Sequence, residues 1–243
     1  MAISSGKQAL HDEARMHLAL ALDVAELERA LVLARRTREH FGVVKVGLEL
    51  FSAYGPAAVS ALGEEGFVVF CDLKLHDIPT TVARAAERIG ALRPRYLSVH
   101  GGGGREMVRA AVEGFAVGSR GAPGGILAVT VLTSDRSAAR RDLEHRSALA
   151  AETGCAGVVC AASDLALVRP LTEGLVRAVP GVRPQGAARD DQARVATPAE
   201  AVAAGASLVV VGRAVTAAAD PGVAARDVHA EVASALFQLG NQF

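Results

Sequence analysis

Tryptophan is absent from the 243-residue sequence, and aromatic residues make up only 4% of it. Alanine, valine, leucine and glycine dominate, a composition that suits helices packed on a sheet better than an aromatic-rich all-β sandwich. Cysteine is scarce as well, and its three positions lack CxxC spacing: Cys71, Cys155 and Cys160. These features argue against a disulfide framework or a zinc ribbon, and they favour a reducing compartment.

The chain has no excess of charge of either sign. Lysine and arginine total 26, aspartate and glutamate total 26, and the formal net charge is zero. Without a global basic field, binding to nucleic acid or to an anionic membrane is disfavoured. We therefore expect neither a nucleic-acid partner nor a membrane partner.

Long apolar runs are also missing. The longest uncharged stretches, such as residues 121–134, fall short of the roughly 18 residues that indicate a spanning helix. Residues 1–17 carry several charged side chains and no apolar core segment, so they do not resemble a secretory signal. The sequence thus predicts a soluble, cytoplasmic protein.

From residue 18 onward, short apolar runs alternate with longer amphipathic stretches, the pattern of parallel strands joined by crossover helices. Leu27, Ala30, Leu31 and Ala34, for example, recur at the i, i+3, i+4, i+7 spacing of a buried helix face. The apolar runs predict strands at residues 18–23, 43–47, 67–74, 96–100, 125–131, 157–160, 175–179 and 208–212.

Eight strand–helix units predict a single (β/α)8 TIM barrel, an α/β fold. We expect an N-terminal segment at residues 1–17, whose role is open, followed by a barrel catalytic domain at residues 18–243. A doubly wound sheet is the alternative, but it more often has about five or six strands and a glycine fingerprint after the first. The first predicted strand ends in Asp23, and no GxGxxG follows it.

Two glycine-rich segments are predicted as local connections rather than cofactor sites. The four glycines at 101–104 follow the fourth strand and lack the lysine of a phosphate-binding loop, so a tight turn is expected. Residues 118–125 (GSRGAPGG) predict a flexible approach to the fifth strand. Further along, Thr197, Pro198 and Glu200 predict the capping box of a helix that ends at Gly205.

Polar residues stand at the C-terminal ends of the first three strands, where barrels of this kind carry their chemistry: Asp23, Lys45, Asp72, Lys74 and Asp77. Strand alternation places Asp72 and Lys74 on one face, pointing into the barrel mouth. Any one of these residues alone is equally well explained as a solvated charge. An array of such charges is costly to desolvate, so it is seldom kept for stability alone. Neighbouring carboxylates also favour the ammonium form of a lysine, which suits proton donation to a carbanion.

A second group of candidates follows the last two strands. The long loop after the seventh strand contains Arg183 and Gln192, and the eighth strand runs into Gly212 and Arg213. TIM barrels commonly bind phosphate at these two loops, and a glycine amide beside a guanidinium suits that role. A strand-capping arginine and a solvated loop are the alternative, but the loop's length and glycine favour a closing lid over a phosphate monoester.

The segment DLKLHDIPTTV resembles the signature of the bacterial orotidine 5'-phosphate decarboxylase family, Asp-x-Lys-x-x-Asp followed by Ile-Pro. Asp72, Lys74, Asp77, Ile78 and Pro79 match that motif. The resemblance extends over residues 18–240, with further matches at Asp23, Lys45, Thr133, Arg183, Asp190, Asp191, Gln192, Arg194 and Arg213.

The resemblance implies decarboxylation of orotidine 5'-phosphate to UMP and CO2 in de novo pyrimidine synthesis, without a metal or organic cofactor. It implies that Lys74 protonates C6 of the pyrimidine within an array of Lys45, Asp72, Lys74 and Asp77. Asp77 and Thr81 would reach the site of a neighbouring subunit, which makes a homodimer the functional unit. The implied substrate-binding residues are Asp23, Lys45, Asp72, Ile78, Thr81, Thr133, Ser134, Arg183, Gln192, Gly212 and Arg213.

Two other functions remain open. A related keto-sugar phosphate decarboxylase or hexulose phosphate synthase would share Asp-x-Lys-x-x-Asp but use magnesium and an enediolate. The Ile-Pro continuation and the Gln192 loop argue against it. A catalytically idle phosphate-binding barrel is a second alternative, although it would have no need of a buried proton donor. His76 and His100 lie near the mouth without a carboxylate at ligand spacing, so we expect structural histidines and no metal site.

Overall fold

The computed structural model describes residues 2–132, 139–184 and 196–241, with the backbone alone for residues 2–5. Eight parallel strands close into a barrel in chain order, and β8 pairs with β1. This confirms the predicted TIM barrel. The strands are β1 (Leu18–Ala21), β2 (Val43–Val46), β3 (Val68–Leu75), β4 (Tyr96–His100), β5 (Gly125–Val129), β6 (Gly157–Val159), β7 (Val176–Pro180) and β8 (Leu208–Val211).

Helices connect the strands and cover the outside of the barrel. None of the described helices is long and apolar enough to cross a membrane. The described helices are α1 (Ala2–Met16), α2 (Leu27–Thr37), α3 (Leu48–Tyr54), α4 (Pro56–Glu64), α5 (Pro79–Gly90), α6 (Gly104–Ser119), α7 (Arg140–Glu152), α8 (Leu165–Val168), α9 (Pro198–Ala203), α10 (Arg213–Thr216) and α11 (Pro221–Gly240).

The strands are apolar on both faces because they separate two cores. Alternate side chains fill the barrel interior, where the Phe70 ring meets the Tyr96 ring edge-on with centroids 6.2 Å apart. The intervening side chains, such as Cys71 and Leu97, pack outward against the helices. This double burial explains why continuous apolar runs, rather than alternating ones, predicted the strands.

Helices α5 and α6 approach each other closely along a line of glycines. A Cβ atom on Gly114 or Gly118 of α6 would overlap the backbone carbonyls of Ala83 and Glu87 on α5. The predicted flexible approach at 118–125 is therefore wrong at its start, since α6 continues through Ser119. The sequence pattern marked glycine as a loop former, whereas here it permits backbone contact between helices.

The predicted capping box is confirmed at the start of α9. The Thr197 hydroxyl accepts the Glu200 amide at 3.2 Å, and the Glu200 carboxylate accepts the Thr197 amide at 2.8 Å. Pro198 occupies the first turn, where its missing N–H costs no hydrogen bond. Gly205 follows the helix with φ +105°, a conformation that favours glycine.

The N-terminal helix α1 packs on α11 at the end of the barrel opposite the mouth. Three histidine rings meet there: the His11 ring lies 4.4 Å from that of His229, which lies 5.3 Å from that of His40. The chain is tied to β8 directly after α1, because the Val209 amide donates to the His17 carbonyl at 2.7 Å. The described part of this N-terminal segment thus packs against the barrel.

This histidine cluster predicts a loss of stability in acid. Burial lowers the pKa of both His40 and His229, and the His229 ring lowers that of His40 further. The unfolded chain therefore binds these protons more readily than the folded chain does. We expect the free energy of unfolding to be fully retained above the ordinary histidine pKa of about 6.5 and to fall as pH drops below it.

Urea unfolding at pH 5.5 and pH 7.5 measures this effect, roughly one pH unit on either side of the ordinary histidine pKa. The double variant His40→Asn and His229→Asn is expected to show a smaller difference between the two conditions than the wild type. His145→Asn, at an exposed position on α7, is the matched control. If the double variant loses as much stability in acid as the wild type, the histidine cluster is not the cause of that loss.

Candidate active site

The C-terminal end of β3 places a carboxylate and an ammonium group in direct contact. The Lys74 Nζ donates to the Asp72 Oδ2 at 2.7 Å. The Asp72 side chain is only 12% exposed, whereas that of Lys74 is 32% exposed and reaches solvent at the mouth of the barrel. The ammonium group is thus fixed by a buried partner and open on its other side.

The neighbouring strands extend this pair into a charge array of Asp23, Lys45, Asp72 and Lys74. The Lys45 Nζ lies 2.9 Å from the Asp23 Oδ1 and 3.8 Å from the Asp72 Oδ2. Lys45 is 9% exposed, and Gly47 beside it leaves the room that the two side chains need, since a Cβ there would lie 2.5 Å from the Asp23 Oδ1. Positive and negative groups alternate, so each ammonium group has a carboxylate neighbour.

Three further candidates lie just beyond β3 and outside the contacts of the array. Asp77, Ile78 and Thr81 are exposed, and Ile78 is 66% exposed. The Asp77 Oδ1 accepts the Ile78 amide at 2.6 Å. Within the described residues, no hydrogen bond or ion pair joins Asp77 to the array. The segment from Asp72 to Thr81 therefore has an inner half, with Asp72 and Lys74 in the barrel, and an outer half, with Asp77, Ile78 and Thr81 on the surface.

The candidate phosphate contacts lie where the last two strands end. Gly212 follows β8 beside Ala21 of β1, and Arg213 begins α10. The Arg183 amide donates to the Ala196 carbonyl at 3.1 Å, so the two ends of the intervening loop lie together. Three predicted site residues lie outside the described residues: Thr133, Ser134 and Gln192.

A model of the orotidine 5'-phosphate decarboxylase / HUMPS family matches residues 16–228, which include the array and both phosphate-candidate loops. The chain belongs to this family.

Similar proteins in this family carry a more specific name. The chain is 46% identical over 227 residues to the orotidine 5'-phosphate decarboxylase of Thermobifida fusca, covering 88% of this chain and 95% of the relative. It is 48% identical over 221 residues to that of Anaeromyxobacter sp. strain K, covering 86% and 95%.

Solved structures show the same likeness. A crystal structure of orotidine 5'-phosphate decarboxylase from Lactobacillus acidophilus matches with a TM-score of 0.75 and 29% identity, covering 88% of this chain and 98% of that one. The corresponding structure from Pyrococcus horikoshii OT3 has a TM-score of 0.75 and 28% identity, with the same coverage.

Two histidines at the mouth of this family member stack on each other. The rings of His76 and His100 lie 5.1 Å apart and within 13° of parallel, and the His100 Nδ1 accepts the Gly102 amide at 3.1 Å. Burial lowers the pKa of His100, and His76 lowers it further. The tight turn expected at residues 101–104 is a single turn of 3-10 helix at Gly101–Gly103, and Gly104 already begins α6. In the described ranges, no three His, Cys, Asp or Glu side chains are grouped so that they could hold a metal ion.

The three cysteines are free and buried. Burial raises the pKa of Cys71 and of Cys160 to about 12 and that of Cys155 to about 11. Cys71 packs toward the helices, as strand alternation predicted. A thiol that stays protonated and buried is a poor nucleophile, so none of the three is suited to attack a substrate.

Sequence reasoning did not single out Ser98 on β4. Its side chain is fully buried beneath the array and hydrogen-bonds both Asp72 and Lys74. The available signal was a hydroxyl in the otherwise apolar middle of the predicted strand YLSVH. A polar side chain at an interior position needs a partner, and the partner here is the array.

Proposed function

We propose that this chain converts orotidine 5'-phosphate to UMP and CO2 in de novo pyrimidine synthesis, with Lys74 as the proton donor. The observation that carries this proposal is the contact of the Lys74 Nζ with Asp72 at the open mouth of the barrel. The relatives at 46% and 48% identity are named for this reaction. Equal formation of UMP and CO2 from orotidine 5'-phosphate tests the proposal, and absence of both products contradicts it.

The charge array is suited to decarboxylation followed by protonation of C6. Breaking the bond between C6 and the carboxylate releases CO2 and leaves an electron pair on C6 of the pyrimidine. A positioned ammonium group stabilises that charge and then transfers a proton to C6, after which solvent reprotonates the lysine amine. Asp72 holds the Lys74 ammonium in place through the 2.7 Å contact. This reaction needs neither a metal nor an organic cofactor.

The substrate-binding residues belong to the same proposal. Asp23 and Lys45 would bind the ribose hydroxyls, with Thr133 and Ser134 near the pyrimidine. Asp77 and Thr81, from the outer half of the motif, would be contributed by a second subunit. The phosphate would be held by Arg183, Gln192, Gly212 and Arg213.

Phosphate binding predicts a kinetic effect for Arg213. Arg213→Ala is expected to lower kcat/KM by roughly 10- to 150-fold, since a hydrogen bond to a charged group contributes about 1.5–3 kcal/mol. Steady-state kinetics with orotidine 5'-phosphate measures the effect. Arg88→Ala, an exposed arginine on α5, is the matched control and is expected to behave as wild type. An unchanged kcat/KM in Arg213→Ala would remove this residue from the site.

We also propose a homodimer with shared active sites. Asp77 and Thr81 are exposed next to the mouth, and Ile78 presents a large apolar side chain there that is 66% exposed. Leu48, which begins α3 directly after the neighbouring strand β2, is 55% exposed. An apolar surface beside the mouth suits burial against a second subunit. Asp77 and Thr81 would then complete the array across the interface.

A cytoplasmic location is part of the same proposal. The free cysteines suit a reducing compartment, where thiols are kept from pairing.

The magnesium-dependent relatives are the second candidate function. The family carries two names, orotidine 5'-phosphate decarboxylase and HUMPS. The continuation of the motif into Ile78 and Pro79 favours the pyrimidine substrate. Turnover that requires magnesium would favour the sugar-phosphate branch instead.

A further inference from the structure

The pairing of β3 with β4 is interrupted at the point where the array begins. Cys71 pairs with Leu97, but the next pair is Leu75 with Val99. Three residues of β3 therefore lie opposite the single residue Ser98. Such an insertion is a β-bulge, and bulges beside active sites redirect side chains.

The bulge places Lys74 in an uncommon backbone conformation. Lys74 has φ +50°, in the left-handed region that residues other than glycine rarely occupy. A residue held there persists only when its surroundings compensate for the strain. Leu73 meanwhile stays in the outer core, and Asp72 stays on the mouth side. The bulge thus lets both charged side chains face the mouth.

Ser98 supplies the hydrogen bonds that the interrupted ladder does not. Its Oγ accepts the Lys74 amide at 2.9 Å and donates to the Asp72 Oδ1 at 2.8 Å. The other oxygen of Asp72 accepts the Lys74 Nζ at 2.7 Å. One hydroxyl therefore holds the backbone of the lysine and the carboxylate that orients its ammonium group. Ser98 is 0% exposed, so bulk water does not compete for the hydrogen bonds that its hydroxyl makes.

We propose that Ser98 is a positioning residue for proton transfer, which fixes Asp72 and the bulged backbone of Lys74 in the geometry that protonation requires. The inference rests on the proposed function of Lys74. Ser98 acts through these two residues and does not contact the substrate. Loss of its hydroxyl leaves the Asp72 Oδ1 and the Lys74 amide without their partner in a buried site, and the ammonium group loses its fixed direction.

A positioning role predicts that removal of the Ser98 hydroxyl lowers kcat and changes KM little. Ser98→Ala is expected to lower kcat by about 10- to 100-fold while KM stays within about threefold, because misplacement by about 1 Å costs up to about 100-fold. The proposed phosphate-binding residues Gly212 and Arg213 follow β8, whereas Ser98 lies on β4, so substrate binding is expected to change little. Ser147→Ala removes a second fully buried serine, on α7 and away from the array, and is expected to retain wild-type kcat.

Two further variants of Ser98 distinguish a positioning role of its hydroxyl from a packing role of its side chain. Ser98→Thr and Ser98→Val introduce side chains of nearly equal volume, and only threonine keeps the hydroxyl. Thermal unfolding of each variant reports whether it folds, and kcat is compared between the folded proteins. We expect Ser98→Thr to have a kcat at least about tenfold above that of Ser98→Val, because both hydrogen bonds return.

Equal kcat in the threonine and valine variants would overturn the proposal, as would a wild-type kcat in Ser98→Ala. A loss in Ser147→Ala equal to that in Ser98→Ala would also overturn it, because the effect would then be one of packing. Wild-type protein in the same assay keeps the two hypotheses apart. If it does not turn over orotidine 5'-phosphate, the proposed function has failed; if it does, the variants test Ser98 alone.

Discussion

Replacing Lys74 with alanine is expected to abolish measurable turnover of orotidine 5'-phosphate. The substitution removes the proton donor, and general acid catalysis alone contributes about 10²- to 10⁴-fold. It also removes the charge that stabilises the developing carbanion, which is worth about a further 10²- to 10³-fold. The two losses come from one ammonium group, so kcat falls below detection.

The same variant is expected to fold and to bind UMP. Asp72 keeps the hydrogen bond from Ser98, and the Lys45 Nζ lies 3.8 Å away, so the carboxylate remains compensated. Circular dichroism and calorimetric titration with UMP measure fold and binding. Lys7→Ala, on the exposed surface of α1, is the matched control and is expected to turn over normally. Turnover close to wild type in Lys74→Ala would refute the assigned proton donor.

Two inactive variants are expected to restore activity to each other when mixed. In a dimer with shared sites, Lys74→Ala and Asp77→Ala each damage both sites of their own homodimer. A mixed dimer contains one site with both defects and one site with neither. Equal mixing with subunit exchange is therefore expected to recover about a quarter of the wild-type activity, by the statistics of a twofold dimer.

The mixture is prepared by unfolding and refolding the two chains together, and each variant refolded alone is the control. If Asp77 acts within its own subunit, each chain in the mixture carries one defective site and no activity returns. That result would contradict the shared site. The test is motivated by the position of Asp77, which is exposed and accepts a hydrogen bond from the neighbouring Ile78 amide.

Sequence periodicity was sufficient for the barrel, because the strands are mostly buried on both faces and therefore largely apolar. It also placed Asp72 and Lys74 on the same side of β3, since Leu73 between them packs toward the helices. The contacts among Asp23, Lys45, Asp72 and Lys74 follow from the parallel alignment of β1, β2 and β3 at one edge.

Other features depend on contacts that no local pattern encodes. The bulge opposite Ser98 arises from the pairing of two strands, and alternation within one strand does not reveal it. Gly118 lies within α6, and a side chain is excluded there because the backbone of Glu87 on α5 comes close in the fold. The packing of α1 against α11 joins residues from the two ends of the chain, as the hydrogen-bond contact between His229 and the His11 carbonyl shows.

The most direct test of the central claim is the absorbance of the pyrimidine when purified protein is mixed with orotidine 5'-phosphate in excess EDTA. The array of Lys74 and Asp72 predicts a continuous fall in absorbance, with UMP formed in the amount of substrate lost and no change when magnesium is added. Absence of turnover in EDTA that returns with magnesium would contradict the account and favour the sugar-phosphate branch of the family.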